Sequence, residues 1–305
     1  TGPGVAFQWA NLTSAQKLSL APDATTQKKM VSYLRGGNTW TDTSTTPSTV
    51  YTIEGTAVGQ FRKRFGPLGD LSNAQPVIVT PPKRTYSDAT DPGYSSYVSS
   101  KAGRATMVVA PANDGMVHVF DAGPMPNGTA NSITAGGGTE LFAYIPKALF
   151  KGVAGTASED ASGIQALTYQ DGGVPIYKHH MYVDSSPRVA DIDFGGGDWH
   201  TIVVGGLGKG GNSYYALDLT SETATNETQA ASKVLWEWSN AEVKYSYGRP
   251  VIVKVRATGY PYGRWVAIVT GGYDNASGLG KVFFLDAKTG TLLSTVTTTA
   301  GQPPG

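Results

Sequence analysis

The sequence predicts an all-β fold: a modified β-propeller, incomplete within this chain, of about three four-stranded blades behind a short N-terminal helical segment. Three observations predict it. The first is texture. The chain holds 39 glycines and 16 tyrosines in 305 residues, and only 15% of it is charged, a balance that favours short strands and tight turns. The second is an internal repeat of four apolar runs, written three times between residues 68 and 298. The third is the fixed place of proline ahead of the first run and of aspartate at the end of the third.

Taken in order, residues 1–65 read as a helical and loop lead-in. Thr13 and Ser14 open a capped helix that runs to Leu20, and Asp23 and Thr25 can cap a second that runs to Arg35. Met30, Tyr33 and Leu34 share a face of it, and Gly36 and Gly37 stop it. The Thr/Ser-rich stretch 38–49 reads as a loop. The basic run Arg62, Lys63, Arg64 reads as a solvated loop ahead of Gly66 and Pro67.

Residues 66–305 carry the blades, at approximately 68–150, 180–240 and 245–298. The first strands follow Pro76, Pro187 and Pro250, where a missing N–H costs no ladder bond. The second strands are 106–110, 200–204 and 264–269. Glycine-rich turns lead to third strands ending in Asp121, Asp218 and Asp286, which read as turn formers. Fourth strands follow at 140–145, 234–238 and 292–296. A single four-stranded sheet cannot cover both its faces, so each must stack on its neighbours. The insertions 81–101, 123–139, 152–178 and 220–232 read as contact surfaces, because scaffolded loops are where binding resides. Deletion of 152–178 is expected to leave the fold intact.

Composition excludes several function classes. A formal net charge of +1 lacks the basic excess with which nucleic-acid binders displace counterions. There is no cysteine, hence no thiol catalysis and no disulfide. No apolar run reaches the ~20 residues of a membrane-spanning helix. No signal peptide opens the chain, so export requires one that was removed or lies upstream.

The ordered motifs resemble a known family. Residues 68–76, 112–122, 140–146, 182–191, 199–208, 215–218, 234–238, 248–250 and 280–290 resemble, in the same order, the C-terminal domain of the PilY/PilC proteins of type IV pili, and 8–36 resembles what precedes it. The resemblance implies an exported protein without enzymatic activity at the pilus tip, in contact with minor pilins and with an extracellular or outer-membrane-associated location. It implies roles in pilus assembly, in opposing retraction, in adhesion to host-cell or abiotic surfaces and in surface sensing. It also implies calcium as a cofactor, held by an Asp-rich loop that the family carries after the next proline strand, beyond Gly305.

Within the chain, Asp191, Asp193 and Asp198 are the candidate metal ligands, since alternating carboxylates suit a hard cation. The competing reading is a turn between the first two strands of a blade. His118 and His200 fall inside strands, while His179 and His180 are adjacent and so point to opposite faces. The glycine-rich stretch 205–211 lacks the Lys-Ser/Thr ending and following helix of a phosphate loop, and reads as a flexible hairpin. No catalytic or cofactor-binding residue is assigned. Two alternatives share the architecture. A quinoprotein dehydrogenase has blade turns like 286–290, and a propeller lectin would use the aromatic side chains. Asn11, Asn127, Asn226 and Asn275 stand in glycosylation sequons.

Overall fold

Short apolar runs separated by turns pair with their neighbours in sequence, and here they build three antiparallel meanders. The computed structural model describes residues 4–123, 137–152, 162–170 and 176–301. The lead-in holds α1 (Ser14–Leu20), α2 (Ala24–Leu34), the hairpin β1 (Thr39–Asp42) and β2 (Thr49–Thr52), and the parallel pair β3 (Glu54–Gly55) and β4 (Phe61–Arg62). Sheet one is β5 (Val77–Val79), β6 (Met107–Pro111), β7 (Val117–Asp121) and β8 (Glu140–Tyr144). Sheet two is β9 (Arg188–Asp193), β10 (Trp199–Gly206), β11 (Ser213–Asp218) and β12 (Val234–Ser239). Sheet three is β13 (Val251–Ala257), β14 (Tyr260–Thr270), β15 (Leu279–Asp286) and β16 (Leu292–Gly301). The sheets are separate, and the three do not close a ring.

The strand period of two sorts side chains onto the faces. In sheet two, Val203, Tyr215 and Leu217 join the core shared with sheet one and the lead-in. Their neighbours Ile202, Val204, Tyr214 and Ala216 join the core shared with sheet three. First strands face one another, β5 against β9 and β9 against β13. The aspartates ending the third strands hold the following turns: Gly123 N donates to Asp121 Oδ1 at 2.7 Å, Thr220 N to Asp218 Oδ1 at 2.8 Å and Lys288 N to Asp286 Oδ1 at 3.0 Å. Just before each aspartate the register between strands three and four shifts, at Val119/Phe120, Ala216/Leu217 and Phe284/Leu285. A bulge repeated at one place adds the same local twist to every sheet.

Both helix caps form. Thr13 and Gln16 make a reciprocal capping box, and Thr26 N donates to Asp23 Oδ1 at 2.9 Å. That bond holds the Asp23 carboxyl below its ordinary range. Met30, Tyr33 and Leu34 are buried.

Four expectations need correction. Stretch 38–49 is not a loop: it contains β1 and the start of β2. The basic run is not merely solvated. Arg64 pairs with Glu54 at 2.7 Å, donates to Tyr33 O at 2.7 Å and Gly37 O at 3.2 Å, and lies over the Tyr33 ring. It satisfies carbonyls left open at the end of α2.

Insertion 81–101 is not a free surface either. It contains α3 (Tyr94–Ser100), whose Tyr94 and Tyr97 are buried. Tyr94 Oη donates to Asp191 Oδ2 at 2.7 Å, Trp199 Nε1 donates to Pro92 O at 2.8 Å, and Lys254 Nζ meets Asp91 Oδ1 at 2.5 Å. The insertion of sheet one thus straps sheets two and three.

Finally, insertion 152–178 is structural where it is described. Its 3₁₀ turn Ile164–Thr168 is buried throughout, and Leu167 O accepts from Tyr33 Oη at 3.3 Å. Deleting it would open the core beneath the lead-in. By contrast, insertion 220–232 carries the surface helix α4 (Glu227–Ser232), capped by Asn226. Most of 123–139 lies outside the described residues.

Candidate functional site

A meander places the loop before strand one and the turn between strands two and three at the same end of its sheet. In all three sheets those two segments are bonded together into one rim. In sheet one, Asn113 N donates to Asp70 O at 2.9 Å and Gly69 N to Asp114 Oδ2 at 2.8 Å. In sheet two, Asp184 N donates to Leu207 O at 3.1 Å. In sheet three, Gly272 N donates to Val243 O at 2.9 Å.

The rim is also pinned from sheet to sheet. Asp184 accepts from Asn73 N at 3.0 Å and Asn73 Nδ2 at 2.6 Å, and Ser186 Oγ accepts from Gln75 N at 2.9 Å. Leu207 N donates to Ser246 Oγ at 2.7 Å. Asn73, Asp184 and Tyr247 each stand three residues before the strand-one proline. Of these, Asn73 and Asp184 pin sheets one and two, whereas at sheet three the pin is the neighbouring Ser246.

Electrostatics along the rim follow from these bonds. Burial alone would raise the Asp70 carboxyl, but Ser72, Asn113 and His179 donate to it and bring it down to about 2. His118 sits between Asp114 Oδ2 at 2.9 Å and Glu140 Oε1 at 2.5 Å. Burial opposes its charge, yet the two carboxylates win and raise it to about 9. At the opposite end of sheet two, away from the rim, His200 is held likewise between Asp218 at 2.7 Å and Asp198 at 3.2 Å, and is also raised against burial. These imidazoles are ion-pair partners, not nucleophile activators: each ring nitrogen is already committed to a carboxylate.

The three candidate metal ligands serve three different purposes. Asp191 accepts from Tyr94 Oη at 2.7 Å and from Thr201 Oγ1 at 2.6 Å. Asp193 accepts from Gly195 N at 2.8 Å and Gly197 N at 3.1 Å, closing the β9–β10 turn. Asp198 pairs with His200. Among the described residues no group of three or more His, Asp or Glu side chains is placed to hold a metal ion. The three carboxylates do not converge on one point as a calcium ligand set would: Asp191 accepts from hydroxyls, Asp193 from backbone amides, and Asp198 meets an imidazole.

The stretch 205–211 is packed rather than flexible. A Cβ on Gly205 would lie 2.3 Å from Tyr215 Oη, and one on Gly210 would lie 1.9 Å from Tyr182 O. Its glycines let strand and rim approach closely. Of the sequon residues, Asn275 is buried, Asn226 caps α4, and Asn127 lies outside the described residues. Behind the rim, a cleft of about 1110 Å³ runs between the lead-in, β8 and α4, with Phe7, Leu141, Phe142 and Val234 on its walls. No helix among the described residues is long and apolar enough to cross a membrane.

The family model for the PilY1 beta-propeller domain matches residues 68–303, the span that holds the three meanders. The chain belongs to that family. A type IV pilus biogenesis factor PilY1 homolog of Xylella fastidiosa is 32% identical over 292 residues, which is 92% of this chain and 16% of that protein. The type IV pilus biogenesis factor PilY1 of Pseudomonas aeruginosa strain PAK is 29% identical over 315 aligned positions, 98% of this chain and 22% of that protein. The chain therefore spans about a fifth of the length of these relatives. The crystal structure of the Pseudomonas aeruginosa PilY1 C-terminal domain aligns with 75% of this chain and 37% of its own, at 27% identity and a TM-score of 0.48.

Proposed function

We propose that this PilY1-family propeller is a non-enzymatic part of a type IV pilus biogenesis factor. It acts outside the cell at the pilus tip, where it presents a rigid rim to minor pilins and takes part in retraction control, adhesion and surface sensing. One observation carries the reading: similarity over 92% and 98% of the chain to proteins named as pilus biogenesis factors. The character of the rim supports a scaffold. Its carboxylates and imidazoles are paired with one another, an arrangement that fixes loops in place.

The test is made in the source bacterium with the full-length gene. Deletion should abolish surface pili and twitching motility, and the wild-type gene should restore both. A gene carrying Asp184→Ala, which unpins the rim between sheets one and two, should restore them only in part. Sheared pili should carry the protein together with minor pilins. A deletion strain with normal pili and twitching, or a protein confined to the cytosol, would overturn the proposal.

A further inference from the structure

The rim of sheet three differs from the other two in being aromatic. Tyr245 and Tyr247 stand in the loop before β13, and Tyr273 stands in the turn after β14. Their ring centroids lie 5.1, 5.6 and 5.8 Å apart. Tyr247 and Tyr273 remain 41% and 45% exposed. A contiguous aromatic surface left in water marks an interaction site, whereas scattered apolar residues need no explanation.

The backbone beneath the rings is fixed. A Cβ on Gly271 would lie 2.5 Å from Glu242 O, and one on Gly272 would lie 2.3 Å from Tyr245 O. Ser277 Oγ donates to Glu242 Oε2 at 2.5 Å across the two segments. Among the described residues, the non-glycine positions with positive φ are Lys244 at 48° and Asp274 at 56°. Each adjoins one of the three tyrosines. Strain held in place by its surroundings gathers at functional positions, and these two bracket the same cluster.

We propose that the exposed pair Tyr247 and Tyr273, stacked at 19° with Tyr245 tilted at 46° and 49° against them, forms a stacking platform for a neutral sugar ring. The ring spacing decides against a cage. Centroids under 6 Å apart leave no slot into which an ammonium group or a prolyl ring could enter, so a ligand must lie on the ring faces. Such a ligand needs a flat apolar face and a hydrogen-bonding edge. A pyranoside has both: its polarised C–H bonds meet the negative face of the aromatic ring, and its hydroxyls reach the phenols.

Those phenols are matched to that edge. The Tyr247 and Tyr273 hydroxyls are 3.3 Å apart, and either can donate. Burial and the bond to Tyr273 keep Tyr247 protonated far into the alkaline range. Charge argues against a nucleotide, which would stack equally well. Asp184 acts on Tyr247, Glu242 holds Ser277 beside it, and Lys244 lies over the Tyr245 ring, so the site offers no positive excess for a phosphate. The inference does not depend on the pilus reading, whose readout is piliation; either can fail alone.

The experiment is saturation-transfer NMR on the 305-residue chain, with the methyl glycosides of glucose, galactose, mannose and N-acetylglucosamine as probes. At least one should receive saturation on its ring C–H protons and shift the ring signals of labelled tyrosine. Tyr247→Ala and Tyr273→Ala should each weaken binding about tenfold or more, while Tyr247→Phe, which keeps the face, should stay within about threefold. Matching thermal midpoints confirm that the variants fold, and the wild-type tyrosine shifts provide a readout that needs no variant. Absence of transfer to all four glycosides overturns the proposal. So does transfer that persists in the folded double variant, or a preference for AMP or a proline-rich peptide.

Discussion

Sheets two and three follow the same four-strand plan and differ in what covers them. β10 and β11 are buried almost without interruption, because sheet two has a neighbour on each face. In sheet three, Ala267, Val269, Phe283 and Leu285 face sheet two, whereas Val251 and Val296 on the other face are 47% and 50% exposed. The burial pattern records this. β10 and β11 are covered almost throughout, whereas the apolar run of β15 alternates between buried and half-buried positions.

The sharpest way to break that comparison is a pair of truncations. Leu217→Ala in sheet two should cost about 3 kcal/mol in urea unfolding, within the range for emptied core sites. Val251→Ala on the open face should cost below about 0.5 kcal/mol. Equal losses would show that the open face is covered.

Next in size is a pH effect centred on His118 of sheet one, with His200 of sheet two raised in the same direction. The His118 pKa in the fold, about 9, stands above its ordinary 6.5. Its imidazolium therefore stabilises the fold fully below pH 6.5, and that contribution fades as pH rises through 9, by up to about 3 kcal/mol. Melting curves of His118→Gln should lack this loss between pH 6.5 and 9. A variant with the wild-type slope would place the titration elsewhere.

Trp236→Phe tests the seam between sheets two and three. The indole donates to Ala287 O at 3.0 Å, and Gly290 packs on its face. The substitution should cost about 1–2 kcal/mol, less than the core truncation, since a buried acceptor is left unpaired. The smallest expected effect is that of calcium. With Asp191, Asp193 and Asp198 committed elsewhere, the melting temperature of this chain should move less than about 1 °C between millimolar calcium and chelator. A larger rise, lost in Asp193→Ala, would restore those residues as ligands.

The strands of all three sheets were legible because proline, apolar run and aspartate recur at matching positions. The helix α3 was not. Seven residues rich in serine show too little periodicity, and its two tyrosines gain their burial from Trp199 and Asp191 about a hundred residues away. Arg64 was misread for a related reason. Its partners Glu54 and the end of α2 are brought to it by packing, and nothing in the run 62–64 announces them. At Asp191, Asp193 and Asp198 the alternating carboxylates were visible as candidate ligands, but the donors that each of them meets were not. At the rim, glycine spacing suggested mobility where close contact was the cause.

The strap from sheet one has a mechanical corollary. Lys254 on β13 is tied to Asp91, 163 residues earlier in the chain. A tension applied at the end of sheet three is thus handed back to the first sheet directly, without passing through every hairpin between them. The two outer sheets thereby share a contact that sheet two does not mediate.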